Sequence, residues 1–187
     1  MNKTALRQKF RDARQKLPAT VIAEAAFAAS ELLQKSASWI AARTVALHVG
    51  VRGELPTTPL LAAAWKAGKR VALPRMENGC MVMRLTNPSM PLVTGNFGIQ
   101  EPPLTAAVIN PDELDLVLTP GLAFDLTGGR LGQGGGDYDR LLKAVRPTCA
   151  KIGWCYDFQI IDSVPLEAHD QRVDSIATPT VYRTVIR

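Results

Sequence analysis

Long apolar runs, paired cysteines and aromatic clusters are all missing from this chain of 187 residues. No stretch approaches the roughly 18 to 20 consecutive apolar residues that a membrane-spanning helix needs. The segment 1–16 is polar and basic, and the apolar part of a signal peptide does not follow it. We therefore expect a cytoplasmic protein that does not enter a membrane.

The cysteines are too few and too scattered for a disulfide framework or a zinc site. Cys80, Cys149 and Cys155 are odd in number and form no Cys-x-x-Cys pair. This pattern is typical of reduced thiols in a cytosolic protein. We expect each of them to be buried and to serve packing rather than thiol chemistry.

The positive charge of the chain is modest and unclustered. The net charge is +5, no block of five or more Lys and Arg occurs, and aromatic residues make up only 6% without regular spacing among the basic ones. These features disfavour a nucleic-acid partner, and an anionic small substrate explains the charge equally well. An RNA- or DNA-binding module stays an alternative, which steeply salt-dependent binding would support.

Predicted strands and helices alternate along the chain. Periodicity and composition predict helices at 2–17, 21–35, 57–67 and 138–145. Apolar and β-branched runs predict strands at 44–51, 71–74, 81–85, 114–119, 150–156 and 175–185. The segment 92–103 is broken by Gly and Pro and is predicted to be a loop. The order predicts an α/β fold with a mainly parallel central sheet flanked by helices, in a single domain over residues 1–187.

Four polar side chains stand beside apolar ones in the first predicted helix and strand. Lys3, Arg7 and Arg14 fall on one side of the helix, next to its apolar stripe. Taken alone, they are expected to form a solvated helix edge. His48 lies within the first predicted strand, where a packed core histidine is the expected role.

The segment 118–142, LTPGLAFDLTGGRLGQGGGDYDRLL, has the pattern of an anion site. A buried strand leads into a loop with six glycines, and a helix follows. Ligands of parallel sheets bind beyond the carboxyl ends of the strands, and glycines let backbone N–H groups approach an anion. Arg130 adds a planar fork for phosphate oxygens. The loop is neither a P-loop nor a dinucleotide fingerprint, because no Gly-Lys-Ser/Thr follows and Asp137 stands where a third glycine or alanine would be needed.

Carboxylates near this loop are candidate magnesium ligands. Asp139 is expected in the first turn of the helix, and Mg²⁺ near a polyphosphate takes one or two carboxylates. Asp174, which precedes a predicted strand, is a candidate for the second one. Asp125 and Asp137 compete with it.

In their order and spacing, these motifs resemble the 5-formyltetrahydrofolate cyclo-ligases, also called methenyltetrahydrofolate synthetases. The resemblance rests on PGLAFD…GGRLGQGGGDYDRLL, on VRGELPT around Glu54, on FGIQEP at 97–102 and on VDSIATP at 173–179. Lys3 and Arg7 match the family's N-terminal Lys/Arg pair. The resemblance covers nearly the whole chain and implies a Rossmann-like α/β sandwich.

The resemblance also implies roles for the matching residues. A reduced folate would bind at Val49 and Glu54, and Asp139 and Asp174 would hold Mg²⁺. Arg130 would be the catalytic cation, while Arg14 keeps the expected place at a solvated edge. ATP would be held by Lys3, Arg7, Arg130, Leu131, Gly132, Gln133, Gly134, Gly135, Gly136, Asp137 and Tyr138.

The implied reaction converts 5-formyltetrahydrofolate to 5,10-methenyltetrahydrofolate with ATP and Mg²⁺, releasing ADP and phosphate.

Two positions depart from the family pattern: Asp137 replaces a usual aromatic residue, and Gln133 replaces a frequent Tyr or Arg. A carboxylate beside the loop repels polyphosphate unless it binds metal or faces solvent. A folate- or nucleotide-binding member without turnover is therefore the main alternative, and another ATP-dependent ligase or kinase on the same scaffold is a further one. We expect a monomer, because no long apolar surface stripe is evident.

Overall fold

The computed structural model describes residues 2–95 and 98–185. Its helices are α1 (Lys3–Gln15), α2 (Ala19–Gln34), α3 (Ala37–Ala41), α4 (Thr58–Lys66) and α5 (Asp137–Ala144). Its strands are β1 (Thr44–Ala46), β2 (Arg70–Glu77), β3 (Cys80–Thr86), β4 (Val93–Thr94), β5 (Gln100–Glu101), β6 (Leu116–Pro120), β7 (Ala123–Asp125), β8 (Arg130–Leu131), β9 (Ala150–Trp154), β10 (Ile160–Ile161), β11 (Ser175–Ala177) and β12 (Tyr182–Thr184). The predicted helices and the longer predicted strands all have counterparts among these elements.

A seven-stranded sheet forms the centre of the fold, in the order β12-β11-β9-β6-β1-β2-β3. The five inner strands run parallel, and only β3 and β12, at the two edges, are antiparallel to their neighbours. Apolar residues of α2 and α4 pack on one face of the sheet. Leu141 and Leu142 of α5 pack on the other face. The predicted α/β class with a mainly parallel sheet is confirmed, because the inner strands are covered on both faces, as their apolar runs require.

A small sheet in the order β10-β7-β8 carries α1. Leu6 and Phe10 of α1 pack against Leu122, Ala123 and Leu131 of this region. The apolar stripe predicted in the sequence is therefore the buried face of α1. This packing places the polar side of α1 next to the glycine-rich segment that follows β8.

Three local predictions differ from the structure. The first strand ends at Ala46 instead of residue 51, and the residues after it lead irregularly into a turn in which Arg52 and Gly53 take φ values of 51° and 73°. The predicted loop 92–103 contains the two-stranded ribbon β4–β5, and Phe97 of the FGIQEP match lies outside the described residues. Cys80 is exposed at the start of an edge strand, whereas Cys149 and Cys155 are buried as expected.

Among the described residues, no helix combines the length and the apolar content that crossing a membrane requires.

Candidate active site

A cavity of about 710 Å³ opens at the carboxyl ends of the parallel strands. The end of β6, the glycine-rich segment, the start of α1 and the segment after β1 all contribute to its wall. Two of the residues predicted from the sequence as site candidates, Asp174 and its competitor Asp125, do not line it. The predicted residues that do line the cavity are Lys3, Arg7, Val49, Glu54, Arg130, Leu131, Gly132, Gln133, Gly134, Gly135, Gly136, Asp137, Tyr138 and Asp139.

The glycine loop 132–136 leads directly into the N-terminus of α5. Gly134 and Gly136 have φ values of +110° and +71°, which residues with a Cβ rarely adopt. Gly136 is the N-cap of α5. The loop therefore presents backbone to the cavity at a helix end with partial positive charge, an arrangement suited to phosphate.

Two arginines of α1 hold this loop in place. The Arg7 Nε donates a hydrogen bond to the carbonyl oxygen of Gly132 over 3.0 Å. One turn later, the Arg11 guanidinium donates to the side-chain oxygen of Gln133, with the shorter contact at 3.0 Å. Arg11 was not predicted, although its position one helical turn after Arg7 is a usable signal. The contacts of Arg7 and Arg11 join α1 to the glycine loop, two elements far apart in the sequence.

Lys3 is paired with carboxylates of a segment that the sequence predictions missed. Its ammonium lies 2.7 Å from Asp170 Oδ2 and 3.0 Å from Glu167 Oε1. Burial alone would lower the pKa of Lys3, but the hydrogen bonds to Asp170 and Glu167 outweigh burial and raise it. Burial would raise the pKa of Asp170, and the hydrogen bonds from Lys3 and from the Glu167 N–H lower it instead. Both members of the Lys3–Asp170 pair are therefore charged at neutral pH.

Arg130 and Asp139 form the second ion pair of the cavity, with 2.7 Å between Nη2 and Oδ1. The Arg130 side chain is only 4% exposed, and its Nε has no hydrogen-bond partner among the described residues. Asp139 also accepts the backbone N–H of Gln171 over 3.0 Å. Because Gln171 follows Asp170, the two carboxylates Asp139 and Asp170 occupy the same part of the cavity wall.

Asp174 lies at the amino ends of the parallel strands, away from the cavity, which differs from its predicted place in the site. It precedes β11, and its Oδ2 accepts the backbone N–H of Lys151 near the start of β9 over 3.1 Å. These are the amino ends of parallel strands, whereas the cavity lies at the carboxyl ends. The structure thus does not bring Asp174 to Asp139, as the expected magnesium pair requires.

The two aspartates that compete with Asp174 as candidate magnesium ligands also have partners within the chain. Asp125 is buried and accepts hydrogen bonds from the backbone N–H groups of Thr127, Gly129 and Val164. Burial would raise its pKa, but these hydrogen bonds outweigh burial and lower it, so Asp125 shapes the turn that precedes β8. Asp137 forms an ion pair of 2.5 Å with Arg140 on the outer part of α5. Across the described residues, no three or more His, Cys, Asp or Glu side chains form a group that could hold a metal.

Glu54 lies on a turn that packs against α1. Its Oε2 accepts the Val51 N–H over 3.3 Å, and its Oε1 lies 3.6 Å from the Arg14 guanidinium. A Cβ on Gly53 would lie 3.0 Å from the Arg14 carbonyl oxygen, and the φ of +73° also favours glycine at this close approach. Arg14 is 1% exposed, and burial lowers its pKa against the opposing effect of Glu54. The expectation that Arg14 sits at a solvated edge is wrong, because the turn 51–54 covers it.

Fold and site together define an α/β protein with a glycine-rich loop and cationic side chains around a cavity at the carboxyl end of a parallel sheet. Sequence comparison makes the class specific: the chain belongs to the 5-formyltetrahydrofolate cyclo-ligase family, whose model matches residues 1–179.

Individual relatives agree with this assignment. The 5-formyltetrahydrofolate cyclo-ligase of Escherichia coli (strain K12) is 36% identical over 146 residues, which cover 75% of this chain and 80% of the relative. The enzyme of the same name from Mycolicibacterium smegmatis is 36% identical over 149 residues, with 75% of each chain covered. The solved structure of 5,10-methenyltetrahydrofolate synthetase from Aquifex aeolicus is 33% identical, with a TM-score of 0.89 over 100% of this chain and 94% of its own.

Proposed function

We propose that this chain uses ATP and Mg²⁺ to convert 5-formyltetrahydrofolate to 5,10-methenyltetrahydrofolate, releasing ADP and phosphate. Membership of the family supports this activity. The observation that carries it is the cavity itself, in which the glycine loop, Arg130 and Glu54 face the same space. A polyphosphate and a folate bound there would lie within reach of each other, which is the main requirement of phosphoryl transfer.

The chemistry begins at the formyl group on the pteridine nitrogen, which is an amide. Transfer of the γ-phosphoryl group of ATP to the formyl oxygen converts that oxygen into a leaving group and releases ADP. The side-arm nitrogen then attacks the activated carbon, its proton is lost, and the C–O bond breaks to release inorganic phosphate. The product is the methenyl bridge between the two nitrogens.

The triphosphate would be held by the loop 132–136 together with three cations. Arg7 already contacts the loop, and Arg130 points a buried fork into the cavity. Lys3 reaches the cavity while paired with Asp170 and Glu167. We assign stabilisation of the charge that develops during transfer to Arg130, because a buried donor is worth more than an exposed one.

Magnesium fits this wall of the cavity through Asp139 and Asp170. Both are carboxylates with hard oxygen donors, and Mg²⁺ typically takes one or two carboxylates together with phosphates and waters. A bound Mg²⁺ would neutralise phosphate charge. We propose Asp170 in the place expected for Asp174, because Asp170 neighbours the peptide that donates to Asp139.

The folate would bind beside Glu54 and Val49. A carboxylate accepts hydrogen bonds and therefore suits the N–H groups of a pterin. Glu54 is 10% exposed and is held by the Val51 N–H and the Arg14 guanidinium. A carboxylate fixed in this way loses little freedom when the substrate binds.

The test is to incubate the purified chain with 5-formyltetrahydrofolate, ATP and Mg²⁺ and to follow the absorbance of the methenyl product. We expect absorbance to rise only when all three are present, with one ADP formed per methenyl group. Binding of both ligands without any product would establish the alternative, a binding protein without turnover. Failure to bind either ligand would overturn the proposal.

We also propose that the chain works as a monomeric single domain in the cytoplasm. The exposed apolar side chains among the described residues include Phe27, Ile40 and Leu104, which belong to different segments. Light scattering during size exclusion tests the monomer, and a mass of twice 20.3 kDa would refute it. Cell fractionation tests the location.

A further inference from the structure

His48 is a buried imidazole that faces the cavity. It follows β1 by two residues, is 3% exposed, and contributes to the cavity wall beside Val49, Val51 and Glu54. The backbone carbonyl of Leu118 approaches one ring nitrogen, but neither nitrogen has a hydrogen bond of good geometry among the described residues. Buried polar atoms are nearly always paired, so a ring nitrogen left without a well-formed hydrogen bond on a cavity wall indicates a partner that binds in the cavity.

The surroundings of His48 keep its ring neutral. Burial lowers its pKa, the Glu54 carboxylate and the Leu118 carbonyl oppose this effect, and the Arg14 guanidinium adds to it. A neutral imidazole carries one N–H donor and one acceptor nitrogen. A ligand that binds next to His48 therefore meets one unprotonated ring nitrogen, which can accept a hydrogen bond.

The polar groups around His48 complement a flat nitrogen heterocycle. Glu54 offers acceptor oxygens, and the neutral His48 ring offers its acceptor nitrogen. Tyr156 lies behind them with a buried, unpartnered hydroxyl, whose pKa burial raises to about 12. The remaining wall at this point is apolar, formed by Val49 and Val51. A reduced pterin ring has N–H donors and ring acceptors on a flat body, which matches this combination.

We infer that His48 is a substrate-binding residue, whose imidazole hydrogen-bonds to the pterin ring of the folate next to Glu54. The inference rests on the proposed function and specifies its folate site. It extends the role expected for His48 from the sequence, which was packing in the core. An internal water that satisfies the imidazole, with no substrate contact, is the competing explanation.

The direct test is ¹⁵N NMR of the two histidine side chains. The chain has only His48 and His169, and the H169Q variant assigns the His48 signals, since the His169 side chain is 71% exposed and its loss should not disturb folding. We expect 5-formyltetrahydrofolate, added without ATP, to shift the ring nitrogens of His48. Unchanged His48 signals at saturating folate would assign the imidazole to internal water and overturn the inference.

The second test compares variants by calorimetric binding of folate and of ATP. We expect His48→Phe, which keeps a flat ring but removes both nitrogens, to weaken folate binding about tenfold and to leave ATP binding unchanged. His48→Gln, which keeps a donor and an acceptor, should recover part of the loss. Trp65→Phe is the matched control, because the Trp65 Nε1 is also buried and unpartnered but does not line the cavity.

The outcomes separate this inference from the proposed function. Turnover by the wild type together with unaltered folate binding by His48→Phe overturns the role of His48 and leaves the activity standing. A folate-induced shift of the His48 nitrogen signals without any turnover supports the binding role of His48 and refutes the proposed activity. Equal weakening of folate and ATP binding in His48→Phe would show a general structural effect and overturn the inference. If His48→Phe does not fold, the NMR titration of the wild type decides.

Discussion

Replacing Arg130 with Ala removes the buried cation of the cavity. The Arg130 guanidinium is 4% exposed and donates to Asp139 over 2.7 Å, whereas Asp139 is 18% exposed. The variant leaves the Asp139 carboxylate with the backbone N–H of Gln171 as its remaining donor among the described residues. Both turnover and stability should therefore fall.

The two effects have different sizes. Loss of a donor that stabilises a transition state lowers turnover by a factor of about 10² or more, which corresponds to about 2.7 kcal/mol. Removing one partner of a fully buried ion pair costs about 3 to 5 kcal/mol, and the partial exposure of Asp139 reduces this to about 2 kcal/mol. For a chain of this size, 2 kcal/mol lowers the melting temperature by roughly 4 to 8 °C.

Initial rates of methenyl formation and thermal unfolding measure the two effects separately. Arg130→Lys, which keeps the charge but loses the fork, should lie between the wild type and Arg130→Ala. Arg146→Ala is the control, because Arg146 also pairs with an aspartate, Asp115, over 2.7 Å but is 44% exposed and outside the cavity. Near-normal turnover in a folded Arg130→Ala variant would remove Arg130 from the mechanism.

Four further substitutions test aspartates in and around the site. Asp137→Asn removes a negative charge beside the glycine loop and should lower the KM for ATP about fivefold in initial-rate assays; an unchanged or higher KM would contradict the repulsion. Asp170→Asn should raise the Mg²⁺ concentration needed for half-maximal rate about tenfold or more. Asp174→Asn should leave this concentration unchanged. If Asp174→Asn raised it and Asp170→Asn did not, Asp174 would be the ligand instead. Asp125→Asn should lower the free energy of unfolding by about 2 kcal/mol at neutral pH. Folding lowers the pKa of Asp125, so this stability is present above the unfolded pKa of about 3.9 and is lost as the pH falls through the folded pKa. The urea unfolding curves of the wild type and of Asp125→Asn should therefore converge in acid.

Local sequence signals were sufficient for most of the fold. The apolar run that contains β6 and the glycine-rich segment before α5 each have a pattern that is visible within about ten residues. The ribbon β4–β5 was missed because Gly and Pro in 92–103 mask its short strands. The first strand was predicted too long because Leu47, Val49 and Val51 continue the apolar pattern beyond the end of the strand at Ala46.

The site shows where local signals end. Asp170 lies in an irregular segment without periodicity, and only the folded chain brings it to Lys3, 167 positions away. Arg14 has the same helical spacing as Lys3 and Arg7, but the turn at Gly53 covers it and makes it a buried partner of Glu54. Burial of a single charge depends on a contact between distant segments, so the sequence of α1 alone does not decide it.

Two cations of the cavity wall are matched by carboxylates within the chain. Lys3 is paired with Asp170 and Arg130 with Asp139, whereas Arg7 donates to the Gly132 carbonyl oxygen. A triphosphate that binds to Lys3 and Arg130 must compete with their carboxylate partners, and that competition costs affinity. At the proposed site, Mg²⁺ would remove this cost, because Asp139 and Asp170 would become its ligands and leave Lys3 and Arg130 available to contact phosphate. We therefore expect nucleotide and metal to bind together, each weakly on its own, because both rely on the same exchange of partners.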